Sequence, residues 1–298
     1  MKDCESESGS GRLTMIEERP GGDRMKTKKD DDSRLQEMME NIRHKILVLS
    51  GKGGVGKSTV AVNLAVALSM EGKKVGLLDV DFHGPSIPTL LHLEGETLQS
   101  DGESMLPVEY SQGLKVVSLG FVLSNPDDAV VWRGPIKMGV IKQLLSEVQW
   151  GELDYLVVDL PPGTGDEPLS TAQLIPGDRG AVIVTTPQDL SVVDVRKSIS
   201  FCRLLKLPIW GVIENMSGLV CPHCGGIVYP FKSGGGEKMA EGMGLPFLGR
   251  IPMDPLVVEA SDRGQPFIYA QQQSEAAKAF SMAVRYILAL DKDSSVKK

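Results

Sequence analysis

Residues Gly51–Thr59 read GKGGVGKST. The stretch contains the phosphate-loop pattern Gly-x4-Gly-Lys-Ser in Gly51, Gly56, Lys57 and Ser58, and it carries a second lysine, Lys52, near its start. Glycines let the backbone curl so that several N–H groups point inward at one phosphate. The Lys57 ammonium can reach the outer phosphates, and the Ser58 hydroxyl can ligate Mg²⁺. Upstream, His44–Ser50 (HKILVLS) is a short apolar run rich in strand formers. Downstream, Ser58–Met70 (STVAVNLAVALSM) has helical spacing. Strand, glycine loop and helix N-terminus in that order make an anion site by geometry and dipole.

The pattern continues outward. Candidate strands are Lys45–Ser50, Lys74–Leu78, Lys115–Leu119, Tyr155–Asp159, Ala181–Thr185, Ile209–Glu214 and Pro246–Gly249, with helical patterns between most of them, such as Ile136–Val148 and Leu190–Leu205. Repeated strand–helix units predict an α/β fold of the P-loop NTPase kind. Its sheet would be mostly parallel and twisted, with helices on both faces and the active site at the strand C-termini. Residues 1–40 are polar and charged with few large apolar side chains, so they read as a disordered tail. Residues 41–290 read as the ATPase domain, and residues 291–298 as a second disordered tail. Ser274–Leu290 reads as an amphipathic helix packed on the domain; its polar face lacks the basic residues of a membrane-surface helix.

Composition bounds the function. The chain has 298 residues, 41% apolar and 24% charged, with a net charge of −7. That charge argues against broad binding to nucleic acid or anionic lipid. No apolar run approaches the ~18 residues that span a membrane. The N-terminus has no apolar core of a secretory signal. Four cysteines make no disulfide framework, and Cys4 lies alone in the polar tail. The expected setting is reducing and cytoplasmic.

Further site parts fall at strand ends. Leu77-Leu-Asp79-Val-Asp81 ends a strand with two carboxylates two apart, which in an extended chain face one side. Both can face a metal–phosphate site, one supporting Mg²⁺ and one orienting the attacking water. Tyr155–Asp159 is an apolar strand ending in an acid, the Walker B pattern that supports Mg²⁺. Leu160-Pro-Pro-Gly-Thr-Gly-Asp166 follows, and its Gly163 lets a backbone N–H approach the γ-phosphate.

Cys221-Pro-His-Cys224-Gly-Gly offers two thiolates to one metal, which is half of a four-ligand site. The chain has no second CxxC, and neither Cys202 nor Cys4 is suitably spaced. A C2 dimer would bring two pairs together on its axis. Spacing alone leaves a shared zinc, a shared iron–sulfur cluster, a redox dithiol and no metal all open.

The loop with Lys52 resembles the deviant Walker A signature of the MinD, ParA, ArsA and nitrogenase iron-protein group. Within that group the chain is similar to the Mrp/ApbC iron–sulfur carrier ATPases. The resemblance rests on GKGGVGKST at 51, DVDFHGPSIP at 79, WRGP at 132, DYLVVDLPPGTGDEPL at 154, VIENMSGLVCPHCG at 212 and GRIPMDP at 249, and covers essentially residues 41–290. It implies an ATP-hydrolysing carrier that holds a [4Fe–4S] cluster across a homodimer and transfers it to apo iron–sulfur proteins, with other proteins as cluster donors and no nucleic-acid or membrane partner. Gly51, Lys52, Gly53, Gly54, Val55, Gly56, Lys57, Ser58 and Thr59 would bind ATP, with Gly163, Asn215, Pro252 and Asp254; Asn215 would read the purine edge. Lys52 would cross to the partner's phosphates. Lys52, Lys57 and Asp81 would be catalytic, and Ser58, Asp79 and Asp159 would serve Mg²⁺. Cys221 and Cys224 would hold the shared cluster. The alternative is a ParA/MinD-like positioning ATPase with a structural zinc-bridged dimer. One departure stands out: the tail has only Cys4, so a second, N-terminal cluster site like that of the eukaryotic cytosolic scaffolds is not expected.

Overall fold

The computed structural model describes residues 24–82, 84–111, 113–122, 134–221 and 223–296. Cys4, His83, Trp132, Arg133 and Pro222, quoted above, lie outside the described residues, as do residues 1–23 of the expected tail. The chain runs α1 (Arg24–Glu40), β1 (Ile42–Ser50), α2 (Lys57–Met70), β2 (Val75–Asp79), α3 (Ile87–Leu91), a small hairpin of β3 (Gln99–Ser100) and β4 (Met105–Leu106), then β5 (Val108–Ser111) and β6 (Leu114–Ser118). It continues through α4 (Gly134–Ser146), β7 (Leu153–Asp159), α5 (Asp166–Leu174), β8 (Arg179–Thr185), α6 (Asp189–Leu204) and β9 (Ile209–Glu214). A second hairpin, β10 (Leu219–Val220) with β11 (Ile227–Val228), precedes α7 (Gly235–Gly242), β12 (Phe247–Arg250), α8 (Pro255–Asp262), α9 (Phe267–Ala270) and α10 (Glu275–Val296).

Eight strands form one sheet in the order β12-β9-β8-β1-β7-β2-β6-β5. Every neighbouring pair is parallel except β5 with β6. The central strands are buried along most of their length; Ile46–Leu49 and Leu156–Val158 are all fully buried. Continuous apolar strands are what a parallel sheet covered on both faces requires. On one face α2 packs with α9 and α10; α1 packs on α4, α4 on α5, and α6 on α7 elsewhere. Helix α2 is buried from Val60 to Leu68, as befits the helix that carries the glycine loop across the middle of the sheet.

Helices occupy the described part of both segments that the sequence reads as tails. Helix α1 occupies Arg24–Glu40, with Leu35 and Met39 buried and Met38 packed beside them. These three residues make a narrow apolar stripe at helical spacing inside an otherwise charged segment, and that stripe docks. Lys142 Nζ adds an ion pair to Asp32 at 2.5 Å. At the other end α10 runs to Val296, because a packed helix extends at little cost once nucleated.

Candidate functional site

The phosphate loop leaves β1 at Ser50 and enters α2 at Lys57. Gly54 and Gly56 both have φ of 77°, the left-handed region that an L side chain enters only with strain. A Cβ on Gly51 would sit 2.5 Å from the backbone carbon of Asp194, so the loop's first glycine is where the loop packs directly on α6. Ser50 Oγ donates to the Lys52 carbonyl at 2.9 Å and steadies the entry.

Parallel registry then sets the acids. Val48 of β1 pairs with Asp159 of β7, and Asp159 pairs with Asp79 of β2, so two carboxylates stand side by side at adjacent strand ends. Lys57 reaches into this gap. Its ammonium meets Asp159 Oδ1 at 2.5 Å, with Lys57 6% exposed and Asp159 0%. Burial pushes the Asp159 carboxyl above its ordinary range, while the Lys57 charge, the Lys57 hydrogen bond and the Ser58 hydroxyl pull it back. Asp159 Oδ2 is buried without a hydrogen-bond partner.

Asp79 is also fully buried. Burial first, and the Asp159 charge second, push its carboxyl up to about 7. Asp81 N–H to Oδ1 at 3.1 Å, the Lys57 charge and Ile87 N–H to Oδ2 at 3.3 Å oppose that rise without overcoming it, and Ser118 Oγ also donates to Oδ2 at 3.0 Å. The expectation that Asp79 and Asp81 face the site together is corrected here. Strand β2 stops at Asp79 and the chain turns onto the Asp79 carboxylate, so strand alternation does not carry across to Asp81. Asp81 lines the cleft, while Asp79 braces the turn from inside.

That cleft, of about 250 Å³, is bounded by Ser50, Lys52, Gly53, Gly54, Gly56, Lys57, Ser58, Thr59 and Asp81, together with Ser86, Leu90 and Pro162. The last three were given no role from sequence: Ser86 and Pro162 stood only inside the quoted strings DVDFHGPSIP and DYLVVDLPPGTGDEPL, and Leu90 lies in α3 beyond them. Gly163 has φ of 91°, as a glycine turn requires, but its N–H donates to the Ser50 carbonyl at 2.9 Å and so is already partnered. Asn215 is 9% exposed, and its Nδ2 donates to the Val55 carbonyl at 2.9 Å, clamping the loop's backbone. Asp254 caps α8 by accepting from Leu256 N–H at 2.9 Å, and Pro252 precedes it in the same β12–α8 connection.

The cysteine pair sits apart, at the tip of the β10–β11 hairpin. Cys221 N–H donates to the Gly226 carbonyl at 2.8 Å and Gly225 N–H to the Cys221 carbonyl at 2.9 Å, and Gly225 turns the chain with φ of 70°. Cys224 is exposed and Cys221 half-buried. Backbone N–H groups of Cys224 and then His223, with the Cys224 thiol, hold the Cys221 thiol below its ordinary range, as suits a thiolate ligand. Among the described residues no group of three or more His, Cys, Asp or Glu side chains is placed to hold a metal, so each chain offers two ligands here. Ile227, Val228 and Tyr229, next to the pair, are each at least half exposed. Cys202 is buried in α6, where burial pushes its thiol up to about 12, which fits a core role.

Among the described residues no helix is long and apolar enough to cross a membrane. Residues 41–288 match the family model described as ParA, NUBPL iron-transfer P-loop NTPase. The chain is 53% identical over 249 residues to the iron-sulfur cluster carrier protein of Saccharolobus solfataricus, covering 84% of each chain. It is 49% identical over 254 residues to the cytosolic Fe-S cluster assembly factor NUBP2 of Rattus norvegicus, covering 84% of this chain and 94% of that one. Among solved structures, the nucleotide-binding protein of Archaeoglobus fulgidus in complex with ADP aligns with a TM-score of 0.71 at 42% identity, over 80% of this chain and 93% of that one. The cell division ATPase MinD of Pyrococcus furiosus aligns with a TM-score of 0.61 at 24% identity, over 83% and 99% of the two chains, and shares the fold. With its loop, its paired strand-end acids and its cysteine hairpin carried on that fold, the chain belongs to the NUBPL iron-transfer P-loop NTPase family.

Proposed function

We propose that this protein is an ATP-hydrolysing carrier in which two copies hold one [4Fe–4S] cluster between their Cys221/Cys224 pairs and deliver it to apo-proteins. One observation carries the reading. A chain of this family presents two thiols at an exposed hairpin tip, no third ligand accompanies them among the described residues, and apolar Ile227, Val228 and Tyr229 lie open beside them. Two ligands per chain and an adjacent apolar surface together favour completion of the site by a second copy. The cluster is cargo here, so exposure of its ligands serves release.

The loop residues supply the nucleotide site. Lys57 and the loop N–H groups bind the phosphates, and Lys52 extends toward the partner's nucleotide. Ser58 and Asp159 would hold Mg²⁺; the buried, unpartnered Asp159 Oδ2 and the neighbouring hydroxyl fit a hard cation. Bound there, Mg²⁺ would neutralise phosphate charge. Asp81, on the cleft wall, orients the attacking water. The donor relationship, the cytoplasmic setting and the absence of a nucleic-acid partner belong to the same proposal.

Anaerobic iron and sulfide analysis with a UV–visible spectrum tests it. Stoichiometric iron and sulfide with broad absorption in the ~400 nm region, both lost in Cys221→Ser/Cys224→Ser, is the expected result. Zinc without sulfide would overturn it in favour of a structural metal-bridged dimer.

A further inference from the structure

Strand β9 ends at Glu214 and Asn215 follows it, and each contacts one half of the machinery. Asn215 Nδ2 binds the Val55 carbonyl of the phosphate loop. Glu214, 0% exposed, turns its carboxylate toward the neck of the cysteine hairpin. Oε1 accepts from Ser217 Oγ at 2.5 Å and from Gly234 N–H at 2.8 Å, and Oε2 accepts from Gly236 N–H at 2.6 Å. Ser217 lies just before the hairpin and Gly234 just after it. Ser217 Oγ and Ser233 Oγ, 3.1 Å apart, close the neck between them.

Arg250 Nε makes a long ion pair with Oε1 at 4.0 Å. The carboxylate is held by amides at the start of α7, where the helix dipole favours an anion. The pocket is also full. A Cβ on Gly236 would lie 2.9 Å from Thr185 Cγ2 and 3.1 Å from Glu214 Oε2, so the carboxylate has one place to be. The neck is stitched, further, to the β12–α8 connection that contains Pro252 and Asp254. Ser217 N–H donates to the Ile251 carbonyl at 2.9 Å and Met253 N–H to the Gly218 carbonyl at 2.7 Å.

We propose that Glu214 is a positioning residue that fixes the neck of the Cys221/Cys224 hairpin to the nucleotide loop, so that nucleotide occupancy sets how the thiols are presented. The functional meaning rests on reading that hairpin as the cargo site. The physical argument does not. Glu214 and Asn215 are joined by one peptide unit with Cα atoms about 3.8 Å apart, so a shift of the loop that moves the Asn215 backbone has a direct covalent path to Glu214. From there it passes to both sides of the neck through three hydrogen bonds to a buried carboxylate, the strong charge-assisted kind.

Hydrogen exchange on the full chain, with no iron or zinc at the cysteines and with or without Mg²⁺·ADP, tests the role. In the unmodified protein, Mg²⁺·ADP should change exchange across residues 217–230 by about threefold or more, since the neck's opening is linked to loop occupancy. Glu214→Gln keeps the volume but turns one acceptor into a donor facing a donor. It should bind Mg²⁺·ADP within about twofold of the unmodified protein, yet lose the hairpin response. Gly236→Ala, which keeps the carboxylate but presses on it, should blunt the response as well, and it decides the matter if Glu214→Gln does not fold. A hairpin that ignores Mg²⁺·ADP in the unmodified protein, or one that responds fully in either variant, overturns the proposal. Because the readout needs no metal at the cysteines, a finding of zinc there would sink the cargo reading and leave the positioning role standing.

Discussion

Replacing Lys57 with methionine keeps a long apolar stem and removes the charge, leaving Asp159 as a fully buried carboxylate with no cation on it. Burial already raises that carboxyl, and the Lys57 charge and hydrogen bond are the two largest influences holding it down. Once they are gone, the cheapest escape is protonation. For a carboxyl with an unfolded pKa of about 3.9, taking up a proton costs about 1.4 kcal/mol per pH unit above that value, so the loss is capped at about 4 kcal/mol at pH 7 and about 2 kcal/mol at pH 5.5. The sign follows from the direction of the shift. A raised carboxyl costs nothing below its unfolded pKa, and the cost grows as pH rises toward the folded value. Urea unfolding of the nucleotide-free protein at the two pH values reads this directly. Lys57→Met should lose roughly twice as much stability at the higher pH, and adding Asp159→Asn should restore most of it, because removing both partners spares the unpaired charge. A loss equal at both pH values, or a double variant whose cost is the simple sum, would show that packing around the lysine stem, and not the buried pair, is what the substitution disturbs.

Two further outcomes follow from the same geometry. Asp79 is pushed up to about 7 by burial and the Asp159 charge, so its contribution to stability is present at low pH and lost as pH rises from about 4 through 7; Asp79→Asn should flatten that part of the pH–stability profile, and an unchanged slope would contradict the assignment. Gly51→Ala places a Cβ 2.5 Å from the Asp194 backbone, where no rotamer can yield, so the loop must move; a loss of about 1–3 kcal/mol of stability and a clear loss of ADP affinity by calorimetry are expected, whereas normal affinity would mean that the loop does not depend on its packing against α6.

How much was legible depended on how local each cause is. All seven strands read from sequence are present, and Ile209–Glu214 has the same limits, because strands buried on both faces are unbroken apolar runs bounded by turns. The edge strand Val108–Ser111 went unread: VEYS is short, polar and half-exposed, and only its antiparallel partner makes it a strand. Helix α1 was hidden by its charge, since Leu35 and Met39, its buried residues among those described, barely register in composition. The motif residues were found, but their bonds were not. That Asn215 spends its Nδ2 on Val55, or that Gly163 N–H is taken by Ser50, is decided by tertiary contacts more than a hundred residues apart in sequence. Glu214 stood inside the quoted string VIENMSGLVCPHCG but was given no role, because a single acid at a strand end acquires meaning only when Ser217, Gly234 and Gly236 converge on it.

The paired acids show why strand order matters more to this site than either acidic motif. Asp79 and Asp159 belong to motifs 80 residues apart, and nothing in either string places them together; the adjacency of β2 and β7 does, by registering Asp79 opposite Asp159. With Lys57 as the cation bonded between strand ends, the buried cluster carries two carboxyls against one ammonium. A proton on Asp79 near neutral pH is one way to relieve that imbalance. A divalent cation at the unpartnered Asp159 Oδ2 would be another, and it would lower the proton affinity of Asp79 by the same electrostatics that now raises it. The site is thus built short of one positive charge, and the shortage is a property of the sheet.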